Sequence, residues 1–216
     1  MLALKRLYPL VSCAGIVMAV VATVIGQIDA DPYLDPLNLT ISEYAVLDRG
    51  GATEFAMASL GVASFALVAG LRAARAPVGA AARRLMLAWS AALVVIAIVP
   101  TTAPGLALDL NAEVHRYVSI AAFVVMPLAG ALMVARLGQD ERWRPVARPV
   151  EWLALAGGFG LLAITYVALP GDRVLIGLVE RVLLGTEVAL VGVLAVRLAQ
   201  LTWVREGSRA SRAALG

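Results

Sequence analysis

Glu180 and Glu187 lie seven residues apart in the run VLIGLVERVLLGTEVALVGVLAVRLAQLTW, so on a helix both carboxylates project from nearly the same face. Arg181 points about 100° away from them. A lone ion in hydrocarbon costs roughly 2.5–3.5 kcal/mol, so each of these groups needs a partner, whether a side chain, a proton or a bound cation. Glu187, the deeper acid, is either a packing group or a binding or proton-linked one. The residues Gly177, Arg181, Gly185, Ala189 and Gly192 form a stripe small enough to admit a close neighbouring helix.

His115 stands in DLNAEVHRYVS, where Asn111 is the expected N-cap and Glu113 complements the first turn of a helix. Two arrangements are open. The segment is a solvated helix start with a local ion pair, or His115 turns inward toward Glu180 or Glu187, where an imidazole can exchange protons near neutral pH. Ser42 and Glu43 lie in PLNLTISEYAVLDRGG, a polar segment between two apolar runs. Pro32 and Pro36 keep its start extended, and Leu39, Ile41, Ala45 and Val46 let the rest dip into an interface. Folded inward, it would place Ser42 and Glu43 beside His115 and Arg181; the alternative is an exposed acidic loop. The candidate ligand-binding set is therefore Ser42, Glu43, His115, Glu180, Arg181 and Glu187.

With one histidine and one cysteine, Cys13, the chain lacks the usual zinc ligands, a two-histidine haem site and an intramolecular disulfide. No metal and no cofactor is expected. A serine hydrolase would take Ser42 as nucleophile, His115 as base and Asp109 or Glu187 to orient it, but the chain has no G-x-S-x-G elbow.

The elements that must position these residues follow from composition. The 216 residues are 61% hydrophobic and 15% charged, with a mean hydropathy of +0.87. A soluble domain of this size could not bury so much apolar surface. The expected fold is all-α: a polytopic integral membrane protein, a six-transmembrane-helix bundle in a single domain. Apolar runs of sufficient length place the spans at about 7–28, 52–71, 85–99, 114–137, 150–169 and 174–204. A polar loop covers 29–51, and a basic tail covers 205–216.

Lys5, Arg6, Arg72, Arg75, Arg83, Arg84, Arg136, Arg142, Arg144, Arg148, Arg197, Arg205, Arg209 and Arg212 fall on one side of these spans; only Arg49, Arg116, Arg173 and Arg181 fall toward the other. The positive-inside rule then makes both termini cytoplasmic and the opposite, acidic face external. Trp89, Trp143, Trp152 and Trp203 are expected at the cytoplasmic edge, and Tyr33, Tyr44, Tyr117 and Tyr166 near the outer one, as interfacial anchors. Because 17 of 18 basic residues are Arg and Ala is abundant, a GC-rich bacterial source and the inner (plasma) membrane are expected.

Four features together resemble the bacterial membrane-protein family known as domain of unknown function 998. They are Ile41-Ser42-Glu43 after the first span, Val99-Pro100-Thr101-Thr102 ending the third, His115 opening the fourth, and Arg181 in the sixth. The family pattern has an aromatic residue before that proline and an aspartate two residues after it, where this chain has Val99 and Thr102. The resemblance implies six helices with a polar cluster on the outer side and brings no activity with it. Three classes of function therefore stand. The foremost is binding or transport of a small molecule or lipid. A structural or regulatory membrane subunit is the alternative, and a hydrolase the least favoured. Partners are membrane lipids, a small-molecule ligand or another membrane protein; nucleic acid is not among them.

Overall fold

The computed structural model describes residues 2–28, 34–48, 51–107 and 109–213, with the side chains of 2–5, 27–28, 48 and 204–213 excepted. Pro32, Tyr33, Arg49 and the side chains of Lys5, Arg205, Arg209 and Arg212 lie outside that description. The described residues form seven helices: α1 (Leu2–Ile28), α2 (Ile41–Asp48), α3 (Ala52–Ala73), α4 (Ala80–Ile98), α5 (Leu110–Gln139), α6 (Arg144–Ala168) and α7 (Ile176–Ala213). All except α2 are long and apolar enough to cross a membrane, and they follow the six expected spans in order. Helix α7 continues beyond its span, Ile176–Trp203, to Ala213.

The six long helices close into a ring in the order α1, α3, α4, α5, α6, α7, with α7 returning to α1 and also touching α3 and α5. Between them lies a core of Leu60, Leu67, Met86, Met126, Met133, Leu190 and Leu194. The outer surface is equally apolar: Val17, Val20, Phe159 and Leu162 are exposed within the helices. Bilayer hydrocarbon is the solvent that makes such a surface stable. Helix α6 approaches its neighbours through glycine, since a Cβ on Gly157 would press on the Pro127 ring of α5. Pro127 is buried inside a continuous α5 and gives no N–H to the carbonyl of Phe123.

Two of the expected tryptophan anchors are core residues instead. Helix α4 begins at Ala80, five residues before the expected start, which moves Trp89 to mid-helix. Trp89 and Trp143 are both 0% exposed. Trp152 and Trp203 are exposed, as are Tyr117 and Tyr166, whereas Tyr44 is buried.

Alternation of the helices gathers Arg72, Arg83, Arg84, Arg136, Arg142, Arg144 and Arg197 at one end. There the Arg197 guanidinium donates to the backbone carbonyl of Arg142, and Arg142 pairs with Asp140 at 2.9 Å. Helix α2 lies at the other end, packed on α3 and α7.

Candidate functional site

Residues 35–48 cross the α2 end of the ring as a strap. It opens on a turn in which Asp35 accepts from the Asn38 side chain at 2.6 Å and from the Leu37 N–H at 2.9 Å. These bonds hold the Asp35 carboxyl below the usual carboxylate range, the Asn38 amide contributing most. Helix α2 then starts with a reciprocal cap: the Glu43 N–H donates to Thr40 Oγ1 at 3.2 Å, and Glu43 Oε2 accepts from the Thr40 N–H at 3.0 Å. This is the capping box spelled by Thr-x-x-Glu.

Helix α7 holds the strap. Nη1 of Arg181 donates to the carbonyls of Pro36 at 2.6 Å, Leu39 at 2.9 Å and Gly177 at 3.1 Å, and its guanidinium lies 5.5 Å from the centre of the Tyr44 ring. Glu180 Oε2 accepts from the Ile41 N–H at 2.6 Å. The Leu178 N–H donates to the Leu37 carbonyl at 3.1 Å. Such close passage needs Gly177, where a Cβ would collide with the carbonyl oxygens of Leu39 and Pro36. The α6–α7 connection adds two clamps: Arg173 donates to both Glu43 oxygens at 2.7 and 2.8 Å, and the Leu175 N–H donates to Asn38 Oδ1 at 2.8 Å. Asp172, Arg173 and Leu175 all have left-handed backbones, with φ of 49°, 62° and 62°. Non-glycine residues adopt that conformation at a cost of order 1–3 kcal/mol each, so the clamps hold a strained connection.

Beneath the strap, Ser42 Oγ lies 2.8 Å from His115 Nε2, and His115 Nδ1 lies 2.6 Å from the Val99 carbonyl oxygen. A carbonyl can only accept, so Nδ1 carries the hydrogen; in the neutral ring Nε2 then accepts from the Ser42 hydroxyl. Val99 can present its carbonyl because Pro100 forces it out of the helical region, and its φ of −89° and ψ of 113° are extended. His115 is 6% exposed. Deeper still, Glu187 Oε2 accepts from Trp89 Nε1 at 2.9 Å, while its Oε1 has no hydrogen-bond partner among the described residues.

Two spaces meet here. One, of about 30 Å³, lies among Ser42, Trp89, Ser119, Glu180 and Glu187. The other, of about 610 Å³, is bounded by the strap, the 101–106 loop, α5, α6 and the start of α7. Along α5 its wall runs from His115 and Arg116, through Ser119 and Ile120, to Phe123 and Val124. Each step of four residues is about one turn, so the wall passes from polar to apolar over roughly 12 Å. Leu161 and Ile164 of α6 complete the apolar part. Ile120 and Val124 are 52% and 44% exposed, so this cavity continues to the lateral surface of the ring.

Ser42, Glu43, His115, Glu180 and Arg181 thus meet at the strap, with Glu187 one small space below. Several details differ from expectation. His115 turns inward, but to Ser42 and Val99 rather than to Glu180 or Glu187. Glu43 pairs with Arg173, not Arg181. Asp109, not Asn111, caps α5, accepting from the Ala112 N–H at 2.8 Å; it and Glu187 are both occupied elsewhere, and a backbone carbonyl orients the imidazole. The small stripe on α7 meets the strap at Gly177 and Arg181, whereas nothing lies within 4 Å of a Cβ built on Gly185 or Gly192. Sequence reasoning gave no site role to Thr40, Asn38, Val99 and Arg173. Thr40 carried a signal as the cap partner of Glu43, and Val99 carried one as the residue before Pro100 in the family motif.

Fold and site together define a six-helix membrane bundle with a polar centre under a short helical roof. The family described as Protein of unknown function (DUF998) matches residues 13–197, and the chain belongs to that family. The motif positions Ser42, Val99, His115 and Arg181 are those that converge at the strap. Neither a curated protein nor a solved structure matches the chain significantly.

Proposed function

We propose that this protein binds an amphiphile, a membrane lipid or lipid-like small molecule, in the 610 Å³ cavity of a bundle set in the bacterial plasma membrane with both termini cytoplasmic. The cavity carries this reading. Its polar end holds Ser42, His115, Arg116 and Arg173, its inner end holds Phe123, Val124, Leu161 and Ile164, and it reaches the lateral surface, where an acyl chain can enter from the bilayer. Pockets of this size, mostly apolar with a few convergent polar groups, are the usual form of small-molecule sites. The concentration of arginine at the end opposite α2 supports the orientation, with the strap external.

Leu161→Trp fills the apolar end and is expected to lower the lipid retained through purification in mild detergent by at least about fivefold, measured by mass spectrometry of extracts. Leu162→Trp, on the outward face at 68% exposure, should leave it unchanged. Retention that ignores both substitutions would remove the binding reading.

A further inference from the structure

We infer that Ser42 and His115 form a nucleophile and base that hydrolyse a carboxylic ester of the amphiphile held in the large cavity, an inference that rests on the binding reading above. Ser42 Oγ and His115 Nε2 are 2.8 Å apart, within reach for proton transfer. The Val99 carbonyl fixes the ring with Nδ1 protonated and stabilises the imidazolium that forms, the place an acid occupies in the familiar triad. Both side chains line the polar end of the large cavity, one turn along α5 from the boundary at Ser119 and Ile120 where its wall becomes apolar. That boundary is where the ester of a lipid lies when its chain fills the apolar end.

Ser42 also stands in the first turn of α2, where orphan N–H groups favour developing negative charge. The Thr40, Ile41 and Glu43 N–H groups are taken by Glu43, Glu180 and Thr40. The Ser42 N–H has no protein acceptor among the described residues, which leaves it as a donor for an oxyanion on the carbon that its own Oγ attacks. In the first step Oγ adds to the ester carbonyl carbon and Nε2 takes the hydroxyl proton. Collapse breaks the bond to the alcohol oxygen, which leaves with that proton, and an acyl–Ser42 ester remains. Water then adds to this ester, with Nε2 again receiving and returning the proton, and releases the carboxylic acid and free Ser42. Ester and water become acid and alcohol.

The test uses the full-length protein in mild detergent with hexadecyl and ethyl fluorophosphonate as probes, adducts being located by peptide mass spectrometry. A single adduct on Ser42 is expected in the native protein and none after heat unfolding, with the hexadecyl probe at least about tenfold faster. His115→Gln should slow labelling on the order of a hundredfold. Ser64→Ala, on α3 and outside both spaces, should not slow it, and Ser42→Ala should take no label. An unlabelled Ser42 in native protein, or a label on another serine, overturns the hydrolase. If the same preparation still retains lipid in a Leu161-dependent way, the binding reading stands without it; if it does not, both fall.

Discussion

Arg181 spends one nitrogen on three carbonyl oxygens, although Nη1 carries only two hydrogens, so at least one of them is shared. The arrangement is a charge-assisted knot between the strap and α7, and its value lies in what it holds: α2, and with it Ser42. Arg181→Gln should cost about 3 kcal/mol of local stability, on the order of a hundredfold in backbone hydrogen exchange over 35–48, with the rest of the ring unchanged. Arg181→Lys should recover only part, since an ammonium keeps the charge but loses the broad guanidinium that lies 5.5 Å from the Tyr44 ring centre. Unaltered exchange in Arg181→Gln would mean that the strap is held elsewhere. The Glu43–Arg173 pair is a weaker candidate, because Arg173 is half exposed and such pairs contribute up to about 1 kcal/mol.

Among the elements, α7 is where two glycines eight residues apart do opposite work. At Gly177 an added methyl meets the backbone of the strap, whereas at Gly185 it meets nothing. Gly185→Ala should therefore be neutral or stabilising by up to about 1 kcal/mol from helix propensity. Gly177→Ala should speed exchange over 35–48 despite the same propensity gain; equal behaviour of the two in exchange and thermal denaturation would refute the close-approach account. The long helices were legible because hydropathy over some twenty residues is a collective signal, and α2 was legible in principle through its capping box. The start of α4 was not, since Arg83 and Arg84 fall inside its first turns and mask the helix, and Trp89 was misplaced with it. The convergence of Ser42 with His115 could be anticipated from the cost of buried polarity. The partner of His115 could not, because a backbone carbonyl leaves no mark in residue types.

Over the whole molecule, charge divides the ring into an arginine-rich end and an end carrying the strap, and by the parity of six long helices α1 begins and α7 ends at the former. Reporters that fluoresce only in the cytoplasm are expected to be bright when fused to either terminus, and a periplasmic phosphatase fused there to be inactive; the reverse pattern would put the strap inside the cell. The bonds that fix the strap join residues 36–43 to residues 173–181, on either side of four intervening membrane crossings. During synthesis the roof therefore emerges early and lacks its anchors on Arg173, Glu180 and Arg181 until α7 leaves the ribosome. A chain stalled before that point has its strap held only by α3 and by the Ser42–His115 contact, without the bonds from 173–181 that fix it.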